Sequence, residues 1–246
     1  MTVPTPEKKI RWLALESNPS VLDKYVRDLG VKAPWRYVDV MGLDDELLAF
    51  IPQPVHAVIL LFPINDAYQA YIKQERERIG QQGQVVSDKL VFYPQTIANA
   101  CGTMGVLHSL ANNWAHGGIV QLENGSVMHR FLEKTLPLSP ADRVAALETD
   151  KDLARVHEGH ASTGQTATPD LQAEVDLHFV CLVERDGHLY ELDGNKPWPV
   201  NHGQTSPENF LKDAAAVARE FIARDPDNYN FSVIAATTAP DTGDDW

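Results

Sequence analysis

Cysteine is scarce in this chain of 246 residues: only Cys101 and Cys181 are present. Two cysteines so far apart make no disulfide framework, and a reducing, intracellular setting is expected. No apolar run approaches the ~20 residues of a membrane span. Met1-Thr2-Val3-Pro4 begins no signal peptide, so a cytoplasmic protein is expected, with the nucleus also open. Basic charge is short as well, with 21 Lys and Arg against 34 Asp and Glu, a net charge of −13. Such a field repels phosphate, which excludes nucleic acid as a partner and suits a basic protein surface instead. The sequence also lacks internal repeats and a glycine-rich phosphate loop. His157 and His160 invite a metal reading. No Cys, third His or acid pair stands at ligand spacing beside them, so neither a metal nor a cofactor is expected.

What remains is ample for a core. With 43% hydrophobic residues the chain reads as one α/β domain spanning 1–246, with disordered ends expected at 1–9 and 238–246. Asn18-Pro19 opens a helix whose apolar stripe is Val21, Leu22, Tyr25, Val26 and Leu29. Trp35 to Val40 reads as a strand, and Asp44 opens a short helix. Val55 to Phe62 is a near-continuous apolar run, expected to be a strand buried on both faces. Asp66 to Gly80 is a polar-rich helix with Tyr68, Ile72 and Ile79 facing inward. Ser139-Pro140 and Ser206-Pro207 open two more helices, and Phe231 to Thr237 is a last strand. From Ala154 to Ala173 the chain is small and polar with little periodicity, which predicts a long loop.

The chemistry gathers at Gln95-Thr96-Ile97-Ala98-Asn99-Ala100-Cys101-Gly102-Thr103. The apolar run Leu90 to Tyr93 predicts a strand that turns at Pro94 into a helix, with Asn99 as its N-cap. Cys101 then lies in the first helical turn, where free N–H groups favour a thiolate. Gln95 adds an uncharged donor upstream, so the pair suits acyl transfer. A second constellation surrounds Asp186-Gly187, a two-residue hairpin signal between two apolar runs. That turn pairs Arg185 with His188, Val180 with Asp193 and His178 with Asn195. His178 and Asp193 become diagonal neighbours on one face. Cys101, His178 and Asp193 thus read as nucleophile, base and orienting carboxylate.

These stretches, with Asp176-Leu177-His178-Phe179 and the run Asp186 to Gly194, closely resemble the ubiquitin C-terminal hydrolase family of papain-like cysteine peptidases. The resemblance extends from Arg11 to about Ala236. It implies an α+β papain-like fold, a central antiparallel sheet flanked by helices, with a knotted path. It also implies hydrolysis of the amide, ester or thioester bond after the last glycine of ubiquitin, releasing small adducts or short peptides. Gln95 would stabilise the oxyanion. Leu15 and Glu16, with Val175 and Leu177, would contact ubiquitin, and a monomer is expected. Two other readings stay open: a silent ubiquitin-binding module, and another Cys-His-Asp acyltransferase such as a transglutaminase-like enzyme. The first has no need of all four residues Gln95, Cys101, His178 and Asp193. The second is not matched by the flanking sequence.

The resemblance further makes the stretch 154–173 a crossover loop over the cleft. A belt of about twenty residues extends to at most ~70 Å, and a closed circle of that contour is only ~20 Å across. A small folded domain is about 25 Å or more in diameter. A ubiquitin–peptide fusion is therefore expected to be cleaved much faster than a di-ubiquitin, and a Gly/Ser insertion in the loop should narrow the difference. Comparing both substrates before and after the insertion checks this.

Overall fold

The longest apolar run of the sequence forms a strand near the middle of a six-stranded sheet. The computed structural model describes residues 10–164 and 176–240. In chain order the strands are β1 (Arg36–Asp39), β2 (Val55–Pro63), β3 (Leu177–Arg185), β4 (His188–Leu192), β5 (Val200–Gln204) and β6 (Ser232–Thr237). They lie in the order β1-β6-β2-β3-β4-β5, and every pairing is antiparallel. The last strand, β6, is thus inserted between the first two.

Helices cover both faces, which explains why β2 does not alternate. On one side lies α4 (Cys101–Trp114), backed by α1 (Pro19–Asp28) and α5 (Val127–Thr135). On the other lies α8 (Phe210–Ala223). The two-residue period of a strand divides β3 between them. Phe179, Cys181 and Val183 pack with α4, while Val180 and Leu182 pack with α8. Gly105 lets α4 approach closely, because an added Cβ would meet Ile59 at 3.3 Å.

Local signals set most helix starts. Asn18 accepts from Ser20 N at α1, and Asp44 accepts from Leu47 N at α2 (Asp45–Leu48). Asn65 accepts from Tyr68 N at α3 (Asp66–Gln82), and Ser139 accepts from Asp142 N at α6 (Pro140–Thr149). Each such cap contributes about 1 kcal/mol.

Several expectations are corrected. The stretch 154–173 is not irregular throughout, because α7 (Lys151–Ala161) runs into it. Asp150 caps α7 through Leu153 N, and Leu153, His157 and Ala161 form a buried stripe four residues apart. A helical residue advances only about 1.5 Å, so the belt is shorter than its extended contour. Residues 165–175 lie outside the described residues. At the C-terminal end, residues 238–240 are ordered rather than disordered. Ala239 is buried, and its carbonyl accepts from Arg36 Nε at 3.1 Å. Helix α5, opened by a Ser126 cap, was not foreseen either.

Residues 90–93 are extended but join no strand. Most of their partners are side chains of neighbouring helices: Asn112 Oδ1 accepts from Val91 N and Asn112 Nδ2 donates to Val91 O, both at 2.8 Å, and Arg143 of α6 donates to Phe92 O at 3.0 Å. His108 Nε2 accepts from Tyr93 N at 3.1 Å. One buried asparagine therefore stands in for a neighbouring strand. Asn112→Ala would leave two buried backbone groups unpaired, at about 1–3 kcal/mol each. A loss of several kcal/mol in denaturant unfolding, with an unchanged slope, is the expected result.

Candidate active site

Cys101 is the first residue of α4, but Asn99 does not cap it. Asn99 has φ 61°, and the cap position is taken by Ala100 with no side-chain hydrogen bond. An Asn tolerates that left-handed backbone better than most residues, so it serves the turn and not the cap. With no capping side chain, the N–H groups of the first turn remain free for the sulfur. Gly102 fits the close packing beside it, because an added Cβ would stand 2.9 Å from Leu15 Cβ.

The hairpin brings in the other two groups. Its register is the one the turn dictated, with Arg185 opposite His188 and Cys181 opposite Leu192. His178 sits near the start of β3, opposite Phe62 of β2, whose ring meets the imidazole edge-on at 5.8 Å. Asp193 follows β4 directly. His178 Nε2 and Asp193 Oδ1 are 2.7 Å apart, and both side chains are buried. Nδ1 is the ring nitrogen not engaged by Asp193, and Cys101 lines the same cavity as His178.

Asp193 is held on both oxygens. Oδ1 also accepts from Asn195 N at 2.8 Å, and Oδ2 accepts from Tyr68 OH at 2.9 Å. Gln95 reaches the same turn, its N–H donating to Gly194 O at 2.8 Å. A Cβ on Gly194 would stand 2.7 Å from Gln95 Cβ, so only glycine fits there. The Gln95 amide donates one Nε2 hydrogen to Ile97 O at 3.1 Å. Its Oε1 is buried with no hydrogen-bond partner among the described residues. Gln95, Cys101, Leu177, His178 and Asn195 line one cavity of about 220 Å³.

The electrostatics follow from this burial and pairing. Burial pushes the Cys101 thiol up, but the hydrogen bond and charge of His178, with backbone bonds at Phe179 and Gly102, bring it below its ordinary value. Burial pulls His178 down, and the Asp193 carboxylate and Cys101 more than reverse this, raising it to about 10. Asp193 is likewise raised by burial and brought low on balance by the His178 charge. All three directions favour a thiolate–imidazolium pair beside a carboxylate. Cys181 is the contrast: burial alone pushes its thiol far up, and it is a core residue.

The remaining expected residues are dispersed. Leu15 is in the core at 4% exposure, packed on Gly102, and presents almost no side chain to a partner. Glu16 is half-buried and accepts from Asn18 Nδ2 at 3.1 Å. Leu177 is half-buried in the wall of the cavity. Val175 lies outside the described residues. His157 is a core histidine, with Nδ1 at 2.7 Å from Thr103 Oγ1 and Nε2 at 2.8 Å from Leu13 O. His160 pairs with Asp28 at 2.8 Å. Two residues of the site were missed as such. Asn195 was legible as the register partner of His178, and its Nδ2 lies 3.4 Å from Nε2. Tyr68 carried no signal beyond an inward-facing aromatic.

A buried Cys–His–Asp set with a glutamine in the wall of the same cavity defines a thiol-dependent acyl-transfer site. The chain belongs to the family described as ubiquitin carboxyl-terminal hydrolase, family 1, which matches residues 12–223. A ubiquitin carboxyl-terminal hydrolase of Drosophila melanogaster is 45% identical over 230 residues, covering 94% of this chain and 99% of its own. The human ubiquitin carboxyl-terminal hydrolase isozyme L1 is 42% identical over 225 residues, 92% of this chain and 97% of its own. Among solved structures, the Trichinella spiralis UCH37 catalytic domain bound to ubiquitin vinyl methyl ester superposes with TM-score 0.71 at 22% identity, covering 94% of this chain and 96% of that one. It has the same fold.

These pKa directions set the reactivity of the two thiols. Cys101 should be alkylated by iodoacetamide at neutral pH at a rate that falls only in acid, where the thiolate is protonated. Cys181 should not react in the folded protein. His178→Ala removes what lowers the Cys101 thiol and leaves burial, so its alkylation should move above the ordinary thiol range of about 8.5. Peptide mapping across a pH series reads all three outcomes.

Proposed function

We propose that this protein is a deubiquitinating thiol hydrolase that cleaves the bond following the C-terminal glycine of ubiquitin. The observation that carries the reading is the 2.7 Å contact of His178 with Asp193 beside Cys101, in a member of this family. Ubiquitin is the partner assigned. The chain's charge of −13 suits a basic tail on such a partner.

The Cys101 thiolate attacks the carbonyl carbon of the glycine, forming a C–S bond and moving charge onto the oxygen. The Nε2 amide of Gln95 and the Cys101 backbone N–H receive that charge. As the intermediate collapses, His178 gives its proton to the departing amine and a thioester remains. Water then adds to the thioester while His178 takes its proton, and the Cys101 thiolate leaves. Asp193 keeps the imidazole aligned and compensates its positive form throughout. The chain is proposed to act as a monomer in a reducing compartment, a setting that suits its two free cysteines.

Three variants separate the roles. Cys101→Ala should abolish hydrolysis of a ubiquitin C-terminal amide while ubiquitin binding is kept, since the sulfur is a small part of a protein-sized interface. Gln95→Ala should lower kcat by about 10²-fold with a smaller change in KM, because its charge partner exists only near the transition state. Asp193→Asn should cut kcat strongly. Substantial turnover by Cys101→Ala would overturn the reading, and binding without any turnover by the wild type would favour a silent ubiquitin-binding module.

A further inference from the structure

The turn that carries Asp193 is fastened from behind by helix α3. This turn closes with Lys196 N donating to Asp193 O at 3.0 Å, and it carries Asn195 on one side and the Gln95 contact at Gly194 on the other. Lys196 then points its ammonium inward, 2.5 Å from Glu75 Oε2 of α3 and 2.6 Å from Glu191 Oε1 of β4. All three side chains are nearly inaccessible, at 3%, 3% and 0%. Glu75 also accepts from Tyr71 OH at 2.8 Å, and Glu191 meets His202 Nε2 at 2.9 Å. Tyr68, one helical turn before Tyr71 and two before Glu75, donates to Asp193 Oδ2. Tyr68, Tyr71 and Glu75 are spaced so that one face of α3 meets the turn.

We propose that α3 is a positioning element for catalysis, with Tyr68 through its hydroxyl, and Glu75 through Lys196, holding the Asp193 carboxylate aligned on His178. This rests on the role given to Asp193 above. The torsion that turns a carboxylate about its last bond is soft. Donors on Oδ1 alone, from His178 and Asn195 N, leave that rotation loosely held. A third donor on Oδ2 fixes the plane. Burial, then the charges of Asp193 and Glu191, push the Tyr68 phenol far up, so it remains a protonated donor. The buried Lys196 fixes the backbone under the carboxylate in the same way, because leaving either acid without it would strand a charge in the interior. A merely structural Tyr68 would instead act through its ring, which packs on Phe62 at 4.7 Å and on Phe221 at 6.1 Å. Tyr68→Phe keeps that ring and removes only the hydroxyl.

The test measures kcat and KM on a ubiquitin C-terminal amide, and the rate of Cys101 alkylation at pH 6, for the wild type, Tyr68→Phe, Asp193→Ala and the double variant. Tyr68→Phe should lower kcat about tenfold, part of the ~10²-fold that misplacing a catalytic group costs, with KM unchanged. It should also slow alkylation. Both losses should disappear when Asp193→Ala is already present, because Tyr68 acts only through Asp193. Glu75→Gln, which keeps the shape of the side chain, should give a smaller loss of the same kind. A Tyr68→Phe enzyme with wild-type kcat overturns the proposal, as does an undiminished loss in the Asp193→Ala background. Absence of wild-type turnover would defeat the proposed function, and the alkylation arm would still decide the role of α3.

Discussion

A hydrogen bond between two buried ionisable side chains, His178 and Asp193, is the contact on which the rest of the molecule depends. Burying an ion pair is costly unless its remaining valences are satisfied. Here they are. The carboxylate accepts from His178, Asn195 N and Tyr68, and Asn195 Nδ2 lies 3.4 Å from the imidazole's Nε2. The pair in turn determines the state of the thiol, since burial by itself would keep Cys101 protonated, as it does Cys181. The difference between a reactive and an inert cysteine lies in which groups face it, not in how buried it is.

The fold brings these groups together from three separate parts of the chain. The hairpin of β3 and β4 carries His178 near the start of one strand and Asp193 in the turn just past the end of the other, and their ladder brings the two ends together. Helix α4 presents Cys101 at its uncapped end and reaches the sheet closely through Gly102 and Gly105. The segment before α4 supplies Gln95, tied to the hairpin's end at Gly194. Small residues at the two approaches and side-chain substitutes for strand partners allow an irregular segment to lie in the interior without unpaired backbone.

Much of this was legible in the sequence because the responsible forces are local. The caps Asn18, Asp44 and Ser139 act within one turn, and Asp186-Gly187 fixes a register that places His178 near Asp193 by counting alone. What was not legible depended on partners distant in sequence. Residues 90–93 looked like a strand because their composition is that of one, yet their backbone bonds go largely to the side chains of Asn112, His108 and Arg143. Helix α7 was hidden because its buried stripe uses His157, a polar residue made acceptable by Thr103 and Leu13. Tyr68 looked like an ordinary core aromatic and Lys196 drew no reading, and only the tertiary fold sets them against Asp193 and its turn. Leu15, expected at a partner surface, is buried against Gly102 of α4.

The central claim is that Cys101, made a thiolate by His178, is the atom that bonds to the C-terminus of ubiquitin. The most direct test is to treat the protein with ubiquitin vinyl methyl ester, the electrophile carried by the structurally similar UCH37 domain, and to map the adduct by mass spectrometry. A single adduct on Cys101, formed at neutral pH and suppressed in His178→Ala, is the result expected. An adduct on any other residue, or hydrolysis of a ubiquitin amide by a protein that never forms one at Cys101, would contradict it.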